Sequence, residues 1–173
     1  MKRWNREDLT LALCVALLPP IWAVFAQRVG ITTGAVALIC AGVYAAAGNA
    51  RKKALPMCLG FLASDAWAVL ALFCLSILPL QEDLKLFCVL FVMGGAAVLI
   101  STALPKIFYC PAWLCGWAIG LTIMGPMGFG GLGTMPLQIA IAMLVGVLYV
   151  GVLLDWVHQK IRGGKGPGQE TPD

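Results

Sequence analysis

An all-α bundle of about six membrane-spanning helices, a polytopic membrane protein with both termini cytoplasmic, is the fold class this sequence predicts. Three observations carry that expectation. The chain is too apolar for water: 61% of its 173 residues are hydrophobic, 12% are charged and the mean hydropathy is +0.91, whereas a soluble domain carries about 25% charged residues. Its apolar residues fall into charge-free runs of spanning length. Its basic residues fall on one side if those runs are taken as alternating crossings.

The runs define the elements in order. Leu9–Gln27, Val29–Ala50 and Leu86–Pro105 hold no charge over 19, 22 and 20 residues. Ala54–Gln81 runs 28 residues with Asp65 as its one charge, and Ile107–Leu154 runs 48, broken by GPMGFGGLGTMP at 125–136. About 20 apolar residues in a helix cross the roughly 30 Å of bilayer hydrocarbon. The spacing therefore predicts helices at about 9–27, 30–50, 54–79, 85–105, 107–124 and 137–157. Residues 1–158 form one transmembrane domain, and 159–173, glycine-rich and polar, a flexible cytoplasmic tail. Val24-Phe25-Ala26 before Gln27 also fits a signal-peptide cleavage site, but the apolar run has the length of a full span, so the first helix is expected to be retained.

Charge placement sets the orientation. Lys2, Arg3 and Arg6 precede the first span, Arg51, Lys52 and Lys53 lie between the second and third, Lys106 lies between the fourth and fifth, and Lys160, Arg162 and Lys165 follow the sixth. The other side receives only Arg28 and Lys85, the latter beside Glu82 and Asp83. By the positive-inside rule the basic side is cytoplasmic. The net charge of +4 thus belongs to membrane-proximal loops and gives no reason to expect a nucleic-acid partner.

Catalytic and metal chemistry find little to stand on. The seven cysteines include no C-x-x-C pair, and His158 is the single histidine, so neither a zinc nor a haem pattern is present. The thiols read as small packing residues. The glycine-rich stretch at 125–136 lacks the lysine and hydroxyl of a phosphate-binding loop. It is read as an outer loop, with Gly130 and Gly131 as candidate gating positions. No Ser/His/Asp triad suggests itself. No catalytic residue, metal site or cofactor is expected, and the protein is not expected to be an enzyme. Asp155 and His158, beside Trp156 and Lys160, read as interfacial anchors.

What remains is a layer of residues at mid-depth: Pro19 and Pro20 with Trp22, Asp65 with Trp67, Gly94 and Gly95, Trp113, Gly116, Trp117 and Gly120, then Gly146 and Tyr149. Two small-residue stripes stand out, Gly60-x-x-x-Ser64-x-x-x-Ala68 and Gly116-x-x-x-Gly120, the spacing that lets membrane helices approach closely. Pro19, Pro20, Gly94 and Gly95 are the candidate helix breaks. Asp65 is the residue hardest to place. A carboxylate at the centre of a span costs about 2.5–3.5 kcal/mol on insertion scales, and an intramembrane acid is by default a functional-site candidate. It lies within about 100° of Ser64 and 60° of Ala68 around the helix, near the small-residue face and away from lipid. Three states are open to it: neutral by protonation, hydrogen-bonded to Thr, Ser or Trp of neighbouring helices, or lining a hydrated path to a cation or proton.

The order Pro20-Ile-Trp22, Gly42-Val-Tyr44-Ala-Ala-Ala-Gly48 before a basic turn, Gly60 with Trp67-Ala68, and Leu104-Pro105-x-x-Phe108 opening a span with Trp113 and Gly116 resembles domain of unknown function 1097, a family of small bacterial inner-membrane proteins. The resemblance covers most of 9–157. It implies a compact bundle in the bacterial inner membrane and brings no activity or catalytic residue with it.

The functional expectation is a channel or secondary transporter for a small solute, cationic or proton-coupled, with Asp65, Trp67, Trp113, Trp117 and Tyr149 as the binding residues. Aromatic faces would help an ionised acid hold a cation. Three spans per half would set the halves antiparallel, as in many transporters, although the two halves share no convincing sequence repeat. The expected partners are the lipid bilayer, the solute and further copies of the chain, a homo-oligomer helping to enclose a path. The alternative is a non-transporting assembly or regulatory subunit whose small-residue faces bind another membrane protein.

Overall fold

The structure, a computed structural model, describes residues 19–48, 51–153 and 156. The termini and their basic residues, the tail at 159–173 and the Asp155–His158 pair lie outside the described residues. Among those described there are six helices and no strand: α1 at 19–28, α2 Val36–Ala46, α3 Arg51–Ile77, α4 Glu82–Ala103, α5 Cys110–Met124 and α6 Met135–Val145, the last running directly into a π-helical segment, Gly146–Leu153. Among the described residues four stretches are long and apolar enough to cross a membrane: Arg51–Ile77, Glu82–Ala103, Cys110–Met127 and Met135–Leu153.

The second expected span needs correction. In place of a helix over 30–50 there is an 11-residue helix, α2, about 16 Å long at 1.5 Å per residue and too short to cross alone. Two local features shorten it. α1 closes in a Schellman turn, with Gly30 at φ 79°, Gly30 N donating to Gln27 O and Ile31 N to Ala26 O, so the chain reverses before residue 32. At the far end Gly48 takes φ 80° and breaks the helix ahead of Arg51. The turn between α1 and α2 is fixed by side chains: Trp22 Nε1 donates to Gly34 O (3.1 Å), and Gln138 Oε1, near the start of α6, accepts from Thr32 N (3.1 Å) and Thr32 Oγ1 (3.2 Å).

Two close seams organise the bundle. Along the first, α5 lies parallel to α3. Gly60 faces Tyr109 and Ala112, Gly116 faces Ser64 and Phe61, and Gly120 faces Ala68, so the residue numbers rise together on both helices. The two small-residue stripes legible in the sequence therefore pack on each other. Along the second, α2 lies parallel to α6 and its π continuation, with Gly146 against Ala37 and Cys40, and Gly151 against the Tyr44 ring. Helices in lipid gain no hydrophobic drive from meeting each other, and dispersion at short range takes its place. Glycine is what permits that range.

α4 is the peripheral helix. It touches α3 and α5 and leaves Phe87, Phe91, Val92 and Leu99 exposed, with Phe87 and Phe91 stacked at 5.8 Å and 13°. At one end of the bundle the basic start of α3 meets the turn into α5: Lys53 Nζ sits 5.7 Å over the Tyr109 ring, and Tyr109 N donates to Pro56 O (3.1 Å). Near the start of α4, Lys85 pairs with Glu82 at 2.9 Å.

Candidate functional site

Asp65 is buried, with 6% of its surface exposed, and its Oδ1 has no hydrogen-bond partner among the described residues. Its position follows from how α3 divides its circumference. Gly60, Ser64 and Ala68 face α5. Trp67 faces α4, its Nε1 donating to Met93 O at 3.1 Å. The remaining buried arc, Cys58, Asp65 and Leu72, turns away from both; α6 also packs on α3. The buried positions of α6 are apolar: Ile139, Ala142 and Met143, then Gly146, Val147 and Val150.

Of the three states open to Asp65, hydrogen bonding to nearby Ser or Trp groups is not what the described residues do. Ser64 Oγ donates instead to Phe61 O at 2.6 Å, and Trp67 Nε1 to α4. Trp113 Nε1 and Trp117 Nε1 are buried without a partner among the described residues, like Asp65 Oδ1. An unpaired polar atom in a low-dielectric interior is costly, and no described cation stands in salt-bridge range of this one.

The expected binding set is divided by the fold. Trp67 and Trp113 meet edge to face at 5.7 Å and 85°, Phe108 joins Trp113 at 4.8 Å, and the Trp117 ring lies 3.5 Å from where a Cβ on Gly94 would be. Trp67 and Trp113 thus meet between α3 and α5, and Trp117 packs on α4. Residues two apart are separated by about 160° on a helix, so Trp67 points nearly opposite to Asp65. Tyr149 belongs elsewhere again, lining an apolar groove of about 330 Å³ with Ile21, Trp22, Phe25 and Val145.

The expected helix breaks are also redistributed. α4 runs through Gly94 and Gly95 without interruption, because its backbone bonds are satisfied within the helix and Gly94 serves instead to admit Trp117. Pro19 and Pro20 open the described part of α1 in helical conformation, Pro19 buried and Pro20 exposed. Gly130 and Gly131 lie exposed in a 3-10 turn, Phe129–Gly131, on the way to α6. The irregular helix is the π segment Gly146–Leu153, which sequence reasoning missed. Its signal was the five-residue spacing of Gly146 and Gly151. On an α-helix residues five apart diverge by about 140°, whereas i→i+5 bonding returns them to one face, and here both face α2. Such segments are frequent at functional sites.

Cys40 and Cys58 are buried and Cys115 is half-buried in the main core. Among the described residues no group of three His, Cys, Asp or Glu side chains is arranged to hold a metal ion.

An all-helical membrane protein with one unpaired acid buried among its helices is thus the class that fold and site define. The chain belongs to the family described as Protein of unknown function (DUF1097), whose model matches residues 12–159. No curated protein and no solved structure matches it.

Proposed function

We propose that this protein is a multi-pass channel or secondary transporter of the bacterial inner membrane, with six spans and both termini cytoplasmic, that moves a small cationic or proton-coupled solute past Asp65. The observation that carries this reading is the buried Asp65 carboxylate, whose Oδ1 lacks a partner among the described residues. A side chain held there at a cost of several kcal/mol per unsatisfied charge or polar group is accounted for when a mobile proton or cation supplies the missing interaction during transport. Trp67, Trp113 and Trp117 then act as scaffold, locking α3 to α4 and α5 so that the arc with Asp65 keeps its position. The short helix α2 reaches full crossing with its flanking turns, as irregular backbone at depth is tolerated where protein covers it. Copies of the chain are expected to associate through exposed apolar helix faces.

Flux into proteoliposomes tests the reading. Purified protein should admit one class of small amine or proton-coupled solute, and Asp65→Asn should reduce uptake to the level of empty liposomes while the protein stays monodisperse. Flux of no solute from the wild type, across amines, neutral solutes and anions with and without a pH gradient, would sink the proposal and favour a non-transporting subunit.

A further inference from the structure

The first and second halves of this chain share a spacing of buried positions along each pair of helices. Along α1 Pro19, Trp22 and Ala26 are buried; along α4 the buried residues are Val89, Met93, Ala97 and Ser101, of which Met93 and Ala97 stand at one offset from Trp22 and Ala26. Along α2 the buried set is Val36, Ala37, Cys40 and Tyr44; α5 buries Gly116, Trp117, Gly120 and Met124 at one constant offset from these, and Ala112, Trp113 and Ile119 besides. The same offset carries Gly48, which ends α2 at φ 80°, onto Gly128, which follows α5 at φ 63°. In α3, Met57, Gly60, Phe61, Ser64, Asp65 and Ala68 are buried, and in α6 and its π continuation a single offset gives Ile139, Ala142, Met143, Gly146, Val147 and Val150.

The neighbours repeat as well. α3 packs parallel to α5 and α6 packs parallel to α2, each through glycine at the closest point. α1 meets α6 where Trp22 and Tyr149 line one groove. Their counterparts, Met93 on α4 and Trp67 on α3, are joined by the Trp67 Nε1–Met93 O hydrogen bond. α3 and α6 pack on each other, as do α2 and α5, which is what a two-fold relation requires of elements at its axis. Three helices per half, each reversing the last, make the halves opposite in direction.

We infer that the chain is an inverted structural duplication, residues 19–77 against 82–153, and that Asp65 fills one of two equivalent half-sites where α3 and α6 cross, with Val147 standing in the other. The duplication is independent of any activity; only the occupant, a proton or small monovalent cation, rests on the transport reading. Sites at the junction of inverted repeats are the common arrangement where two halves rock about a fixed centre. Here the centre carries its acid on one side alone.

Moving the carboxylate tests this. Dicyclohexylcarbodiimide, an apolar reagent, reacts with protonated carboxyls in membranes: the carboxyl oxygen bonds to the carbodiimide carbon, the proton passes to a nitrogen, and rearrangement leaves a stable N-acylurea that peptide mass spectrometry locates. The wild type should be labelled at position 65, Asp65→Val should lose that label, and Asp65→Val combined with Val147→Asp should be labelled at position 147. An unlabelled position 65 in the wild type, or a monodisperse exchange variant unlabelled at 147, overturns the half-site assignment. Should the exchange variant fail to accumulate, Ala46→Cys and Pro126→Cys in a cysteine-free background put the inversion itself at risk. These exposed, equivalent positions must react with an impermeant thiol reagent from opposite faces of the membrane, and reaction from the same face overturns the inversion. Labelling needs no flux. A flux failure with label at 147 removes the transport reading alone, and flux without that label removes the duplication alone.

Discussion

The two glycine seams do the same job with different tolerance. Between α3 and α5 the closest opposing atoms are ends of side chains: a Cβ on Gly116 would overlap Ser64 Oγ and approach Phe61 Cδ1 at 2.9 Å. Between α2 and α6 Gly151 faces the Tyr44 side chain, but at Gly146 the opposing atoms are mainly backbone, since a Cβ there would overlap Ala37 O and lie 2.8 Å from Ala37 Cα. A side chain can rotate away and a helix backbone cannot. The α2–α6 seam is also where the last helix unwinds into π geometry, so that Gly146 and Gly151 both reach α2. Close packing there is secured by altering the helix itself. In the α3–α5 seam, regular four-residue spacing on both helices suffices.

Substitutions that add one methyl at each seam should separate these cases. Gly146→Ala is expected to have the largest effect, a loss of about 3 kcal/mol, at the upper end of overpacking costs, seen as a lowered unfolding temperature in detergent. Gly120→Ala comes next, at about 2 kcal/mol, because its new Cβ would stand 2.6 Å from Ala68 Cβ, which has no rotamer to move. Gly116→Ala should cost about 1–2 kcal/mol and be partly restored by adding Ser64→Gly, a coupling that a double-mutant cycle would read. Absence of that rescue would mean that the α3–α5 seam is as rigid as the other. Trp67→Phe removes the bond to Met93 O and should cost about 1 kcal/mol. Gly95→Ala, with nothing within 4 Å of its new Cβ, should be neutral or stabilise by up to about 1 kcal/mol, the helix-propensity difference. A destabilising result at Gly95 would show that α4 is covered by something beyond this bundle.

Much of the fold was legible in residue order. The stripes Gly60-Ser64-Ala68 and Gly116-Gly120 were visible as close-packing faces, and α3, α4, α5, and α6 with its π continuation, start and stop within a few residues of the predicted 54–79, 85–105, 107–124 and 137–157. α2 was misjudged because hydropathy measures only apolarity, and Ile31–Ala35 is apolar or neutral while folding as turns behind the Schellman close at Gly30. The site was less legible. Asp65 could be singled out, since one acid in a 28-residue apolar run has no trivial explanation. Its expected aromatic companions could not be placed, because depth in the membrane is a single coordinate, and Trp67 shares depth with Asp65 while pointing away from it.

The sequence by itself determined the class, the lengths of the crossing helices and the one buried acid, because transfer of side chains out of water depends on their chemistry and scarcely on their neighbours. The tertiary structure alone decided which faces meet, that the two stripes pair with each other, that the last helix unwinds, and that the halves correspond. The last of these left little mark in residue identity: Gly48 matches Gly128 and Ala26 matches Ala97, but Trp22 corresponds to Met93, Ala37 to Trp117 and Asp65 to Val147. Packing in lipid requires matching shape and burial at equivalent points, and very different side chains satisfy that requirement.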